Sequence, residues 1–93
     1  MLNDNDVGKT LKERGSVYGE YKWQNQTRAD MLQMFYDRYL HEHGELPSPE
    51  DITRVYDIIN KLSRLLVSPK HLDTWKDIAG YAMLAYNDIN EDK

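Results

Sequence analysis

The 93-residue chain contains no cysteine, which excludes a disulfide scaffold, a thiolate zinc site and cysteine nucleophilic chemistry, and suits a reducing cytoplasm. Long hydrophobic runs are missing too, so no transmembrane span is expected. The opening Met1-Leu2-Asn3-Asp4-Asn5-Asp6 has neither the charge nor the apolar stretch of a signal peptide. Positive charge is not in excess. With 12 basic against 16 acidic residues, net −4 with neutral histidines, the chain lacks the broad basic field of a nucleic-acid binder, and it is not acidic enough to imitate nucleic acid. No alternating run of strand length occurs, so the expected class is all-α. P-loop, Rossmann glycine, nucleophile-elbow and zinc-binding patterns are all absent, which leaves serine nucleophilic catalysis without support.

What is present fits one small domain. Hydrophobic residues make up 40% and charged residues 30%, and the length leaves no room for two cores, so residues 1–93 read as a single unit with 1–6 and 91–93 as disordered ends. A chain of this size buries only about 60 to 65% of its unfolded surface, which makes self-association into a homo-oligomer an expectation. Seven of the ten aromatic residues are tyrosine and one is phenylalanine.

Two similar signals punctuate the second half. Ser48-Pro49-Glu50-Asp51 and Ser68-Pro69-Lys70-His71 each place a capping hydroxyl before a proline, which predicts helix starts at 49 and 69. Asp51 follows Ser48 by three, a capping-box-like spacing. Helices are expected over about 49–67 and 69–90. The first carries an apolar stripe of Ile52, Val55, Ile59, Leu62 and Leu66 with Tyr56 alongside, opposite Arg54, Asp57, Lys61 and Arg64. The second carries Trp75, Ile78, Ala82, Ala85, Tyr86 and Ile89, with Ala79 flanking and Gly80 read as a packing position. Upstream, about 26–43 reads as a helix with Thr27 and Asp30 at its start, Gly44 ending it, and Ala29, Leu32, Phe35, Tyr36, Tyr39 and Leu40 as its buried face. The short link after Gly44 predicts antiparallel neighbours. Residues 7–15 are expected to form a short first helix, followed by a glycine-broken loop through Gly15 and Gly19. The expected architecture is an antiparallel bundle of about three long helices plus that short helix, completed by oligomerisation. Tyr36, Tyr39, Tyr56 and Tyr86 then belong to the core or a subunit interface, and the roles of Tyr18, Tyr21 and Tyr81 stay open.

Three constellations carry chemical interest. Asp73 and Asp77 are four apart on one helix face, a like-charge pair that invites a cation. A divalent metal, an interhelical ion pair with Lys61 and Arg64, and plain solvation near a helix start are the alternatives. Lys61 and Arg64 themselves read either as a solvated polar face or as a phosphate clamp, a point charge beside a planar fork. Tyr18, Tyr21 and Trp23 beside Gly19 either pack over the end of the core or stack on a base. His41, His43 and His71 make a poor metal set, and Met31 with Met34 reads as core filler.

Taken together, Glu13-Arg14-Gly15-Ser16-Val17-Tyr18-Gly19, Lys61-Leu62-Ser63-Arg64-Leu65-Leu66 and His71 through Ala82 resemble a family of small phage and prophage proteins of unassigned function. That family is more distantly similar to the MazG-like all-α nucleotide pyrophosphohydrolases and to phage proteins associated with nucleotide modification. The resemblance implies a helical, oligomeric protein of the host cytoplasm. It makes Asp73 and Asp77 the magnesium-side acids, Lys61 and Arg64 the phosphate-side cations, and Tyr18 with Gly19 a structured loop near the site. The MazG-like enzymes carry two acidic motifs, E-x-x-E and later E-x-x-D, and nothing here matches the first: Glu50, Asp51 and Asp57 have the wrong spacing. Binding of a nucleotide or nucleotide-derived anion without efficient hydrolysis is therefore the leading expectation. A phage protein that binds and inhibits a host protein through its tyrosines is the alternative, and residual pyrophosphohydrolase activity the weaker one.

Overall fold

A computed structural model describes residues 19–91. Three helices and no strand occur among the described residues: α1, Tyr21–His43; α2, Pro49–Leu65; and α3, Leu72–Glu91. The all-α expectation holds. The expected helix over 7–15, Tyr18 and residues 1–6 lie outside the described residues, while Glu91 is the last residue of α3 rather than the start of a tail.

Each helix end has a local cause. Helix α1 begins five residues before the expected start, because good helix formers such as Lys22 and Gln24 let it run on upstream. Thr27 is therefore interior, and its hydroxyl donates back to the Trp23 carbonyl at 2.8 Å instead of capping. Gly44 ends α1 in the left-handed region, φ 74°, with its N–H donating to the Leu40 carbonyl at 2.8 Å. Helix α2 starts as the sequence signals: Ser48 Oγ accepts from the Asp51 N–H at 3.2 Å, and Pro49 occupies the first helical position.

The second Ser-Pro signal works differently. Helix α3 starts at Leu72, not 69, and the His71 N–H donates to the Ser68 carbonyl at 3.1 Å, closing a four-residue turn. Proline's fixed φ suits the second position of a tight turn as well as the first turn of a helix, so Pro69 serves the turn. Thr74 Oγ1 lies 2.9 Å from His71 Nδ1, and Trp75 Nε1 donates to the Pro69 carbonyl at 2.8 Å, tying α3 to this turn.

Helix α2 packs on both α1 and α3, and α1 and α3 do not meet. Arg28 on α1 donates to Asn60 Oδ1 at 3.1 Å. On the other side Arg54 pairs with Asp88 and Lys61 with Asp77, so position rises along α2 as it falls along α3. The core is thin. Among the described residues the buried ones are Pro47, Ile59, Lys61, Ser63 and Thr74, so Ile59 is the one large apolar side chain among them.

The expected stripes are therefore partly redistributed. On α3 the inward positions are Thr74, Ile78, Tyr81 and Ala85, while Trp75, Ala82, Tyr86 and Ile89 from the expected stripe are exposed. The ion pairs of Asp77 and Asp88 turn a different flank of α3 toward α2. For the same reason Arg54 and Lys61 face α3 rather than water. Ala29 and Leu40 on α1, Leu62 on α2 and Leu66 just past its end are exposed as well. Gly80 is not a packing position, since nothing lies within 4 Å of a Cβ placed there.

Candidate functional site

Lys61 and Asp77 set the geometry. The lysine stem is buried along α2 and its Nζ reaches Asp77 Oδ2 on α3 at 2.9 Å, 6.0 Å from the centre of the Tyr81 ring. Burying an aliphatic stem while keeping the ammonium paired avoids the cost of a lone interior charge. The hydrogen bond from Lys61, with the positive charges of Lys61, Arg64 and Lys76, holds the Asp77 carboxyl below the usual carboxylate range against a partial loss of solvent.

A groove of about 340 Å³ opens beside this pair, lined by Lys76, Asp77, Gly80, Tyr81 and Leu84. A second hollow, about 320 Å³, shares Tyr81 and Leu84 and continues to Arg54, Asp57, Ala85 and Asp88. Arg54 lines this hollow, with its Nη2 2.7 Å from Asp88 and its Nη1 2.8 Å from Asp51. The hydrogen bond to Asp88 comes first among the causes that raise the guanidinium above its usual value. The first hollow is lined by α3 residues alone and the second by α2 and α3 together; Lys61 and Arg64 line neither, so the cations at the hollows are Lys76 and Arg54, with Tyr81 shared between them.

Of the residues singled out from sequence, Lys61 and Asp77 are brought into contact and Arg64 contributes to the field at Asp77. Among the three alternatives for the acidic pair, Asp77 forms the interhelical ion pair. Asp73 is exposed and lines neither hollow. Gly19 has φ 85°, and a Cβ there would stand 3.1 Å from Val67 Cγ2, so it is seated against the α2–α3 turn and not in the groove. Among the described residues no three of His, Asp or Glu form a group that could hold a metal ion. Sequence reasoning missed Arg54 and Asp88. Arg54 precedes Lys61 by seven and Asp77 precedes Asp88 by eleven, two and three helical turns, so both pairs of positions share a face.

Residues 7–88 match the model of DUF6378, a domain of unknown function. The chain belongs to that family. The match covers all three helices and the whole groove, apart from the last turn of α3. No curated protein and no solved structure matches the chain. Among the described residues of this family member, no helix is long and apolar enough to cross a membrane.

Proposed function

We propose that the groove along the α2–α3 seam binds a small phosphate-bearing anion, a nucleotide or nucleotide-derived species, without hydrolysing it efficiently. The observation that supports this reading is a charged lysine held inside the seam beside an aromatic ring. Lys61 supplies a point charge, Arg64 and Lys76 add positive field, and Tyr81 with Leu84 offers a surface for a planar base. The hollow is open to solvent, and its volume of about 340 Å³ stands at the low end of small-molecule sites, about 300 to 1,000 Å³. Gly80 lets a ligand approach the α3 backbone. Magnesium enters as the counter-ion that accompanies phosphates. It would arrive hydrated on the phosphates and keep several of its waters, since Asp73 lines neither hollow.

In this reading α2 and α3 form an antiparallel hairpin, the protein is oligomeric, and it works as a phage accessory protein in the host cytoplasm, tuning a nucleotide pool or sequestering a nucleotide-derived signal. The test is a set of thermal melts with and without nucleotides and magnesium. A ligand that binds only the native state, present at about 100 times its Kd, stabilises by roughly 2.7 kcal/mol. Stabilisation that disappears in the Lys61→Met, Arg64→Met double variant, with helicity unchanged by circular dichroism, supports the clamp. A flat response across the panel overturns it. That result favours the second reading, inhibition of a host protein, for which the support is the exposure of Tyr21 and Trp23 on the first turn of α1.

A further inference from the structure

Helix α3 carries a second apolar flank that neither α1 nor α2 covers. Leu72, Trp75, Ala79, Ala82, Tyr86 and Ile89 recur at spacings of three, four, three, four and three, the seam pattern of a two-helix coiled coil. All six are exposed, the four large ones by about half to four-fifths. The residues α3 turns toward α2 are others, and α1 does not reach α3.

The order of sizes along this seam identifies its occupant. It runs large, large, small, small, large, large, and is symmetric about the point midway between Ala79 and Ala82. Two copies of α3 laid in opposite directions about that point place Leu72 opposite Ile89 of the second copy, Trp75 opposite its Tyr86, and Ala79 opposite its Ala82. Such self-complementarity is what a two-fold interface requires. The alanines let the two backbones close at the crossing, and an aromatic pair flanks it on each side. Trp75 is already fixed by its hydrogen bond to the Pro69 carbonyl, so an anchor is oriented before the partner arrives.

Area and sequence agree with this choice. The four large seam residues and the neighbouring Met83 expose about 600 Å² per copy, so their complete burial in a dimer amounts to about 1,200 Å², the small end of specific interfaces. Residues 1–18 are the alternative cover from within the chain, and beyond Met1 they offer only Leu2, Val7, Leu11, Val17 and Tyr18, with no three-four period to match six seam positions.

We infer that the protein forms a two-fold dimer through antiparallel pairing of this α3 seam. The inference does not rest on what the groove binds, because Asp77, Gly80, Tyr81 and Leu84 are not seam positions, and only Lys76, seven residues before Met83, borders the seam. Sedimentation equilibrium of the full chain should show a dimer, and Ala82→Glu should weaken it by at least about 100-fold, with helicity retained because position 82 is exposed on the single chain. The absence of cysteine allows a background-free geometric test. A mixture of Leu72→Cys and Ile89→Cys chains should join through a short thiol crosslinker, and neither alone should, because like positions would lie about 25 Å apart along the axis. A monomer at every concentration, a dimer indifferent to Ala82→Glu, or crosslinking of Leu72→Cys to itself would each overturn the proposal.

Discussion

Lys61 on α2 and Asp77 on α3 hold each other at 2.9 Å across the helix seam, and together with Arg54 and Asp88 this contact decides which flank of α3 faces inward. The pH dependence follows from its sign. Asp77 is held below its ordinary value in the folded chain, so its contribution is fully present above the unfolded pKa, about 3.9, and is lost as pH falls through the folded value. Melting temperature should hold from pH 7 to 5 and fall below about pH 4. Asp77→Asn should melt lower at pH 7 and show a flatter acid limb. Acid limbs that superimpose in circular dichroism melts would mean that the pair contributes nothing.

Gly80→Ala should stabilise the protein. The position is helical and has open space where the methyl group goes, so the gain is about 1 kcal/mol, or about 4 to 8 °C in a domain of this size. The same methyl group occupies the floor of the groove and should weaken anion binding. Stability and affinity measured on one preparation should therefore move in opposite directions. A destabilised variant would show that Gly80 is needed by the fold.

Ile59→Ala should cost about 2 to 5 kcal/mol, a large part of the roughly 5 to 15 kcal/mol that holds a typical domain. Leu66→Ala, by contrast, should fall within about 0.5 kcal/mol of wild type, because Leu66 is largely exposed. Urea midpoints compare the two. Equal effects would place the core somewhere other than around Ile59.

Ser48→Ala should cost about 1 kcal/mol by removing the oxygen that accepts from the Asp51 N–H. Ser48→Asp should restore most of it, since aspartate caps equally well and favours the positive end of the helix dipole. Failure of that rescue would point to a role for the serine beyond capping.

The start of α2 at Ser48-Pro49 and the end of α1 at Gly44 were legible in the sequence because each depends on two or three adjacent residues. Ser68-Pro69 was not, since a proline with the same fixed φ serves either a turn or a helix start, and only the His71 to Ser68 hydrogen bond decides between them. Along α3, apolar residues occupy two flanks, so periodicity alone cannot choose between Ile78 with Ala85 and Trp75 with Tyr86. The choice is made by ion pairs whose partners sit on another helix. The Lys61–Asp77 contact was among the alternatives open from sequence, whereas Tyr81 gains a place only once α2 and α3 have joined.

Because among the described helices α1 and α3 each pack on α2 and not on one another, they form a short stack in which one outer member can loosen without the other. Native-state hydrogen exchange should accordingly be graded, slowest for amides around Ile59 in α2 and faster toward the ends of α1, whose loosening leaves the α2–α3 seam closed. The contacts among the described helices lie between neighbours in sequence, so forming them needs little loop closure and these helices should assemble rapidly.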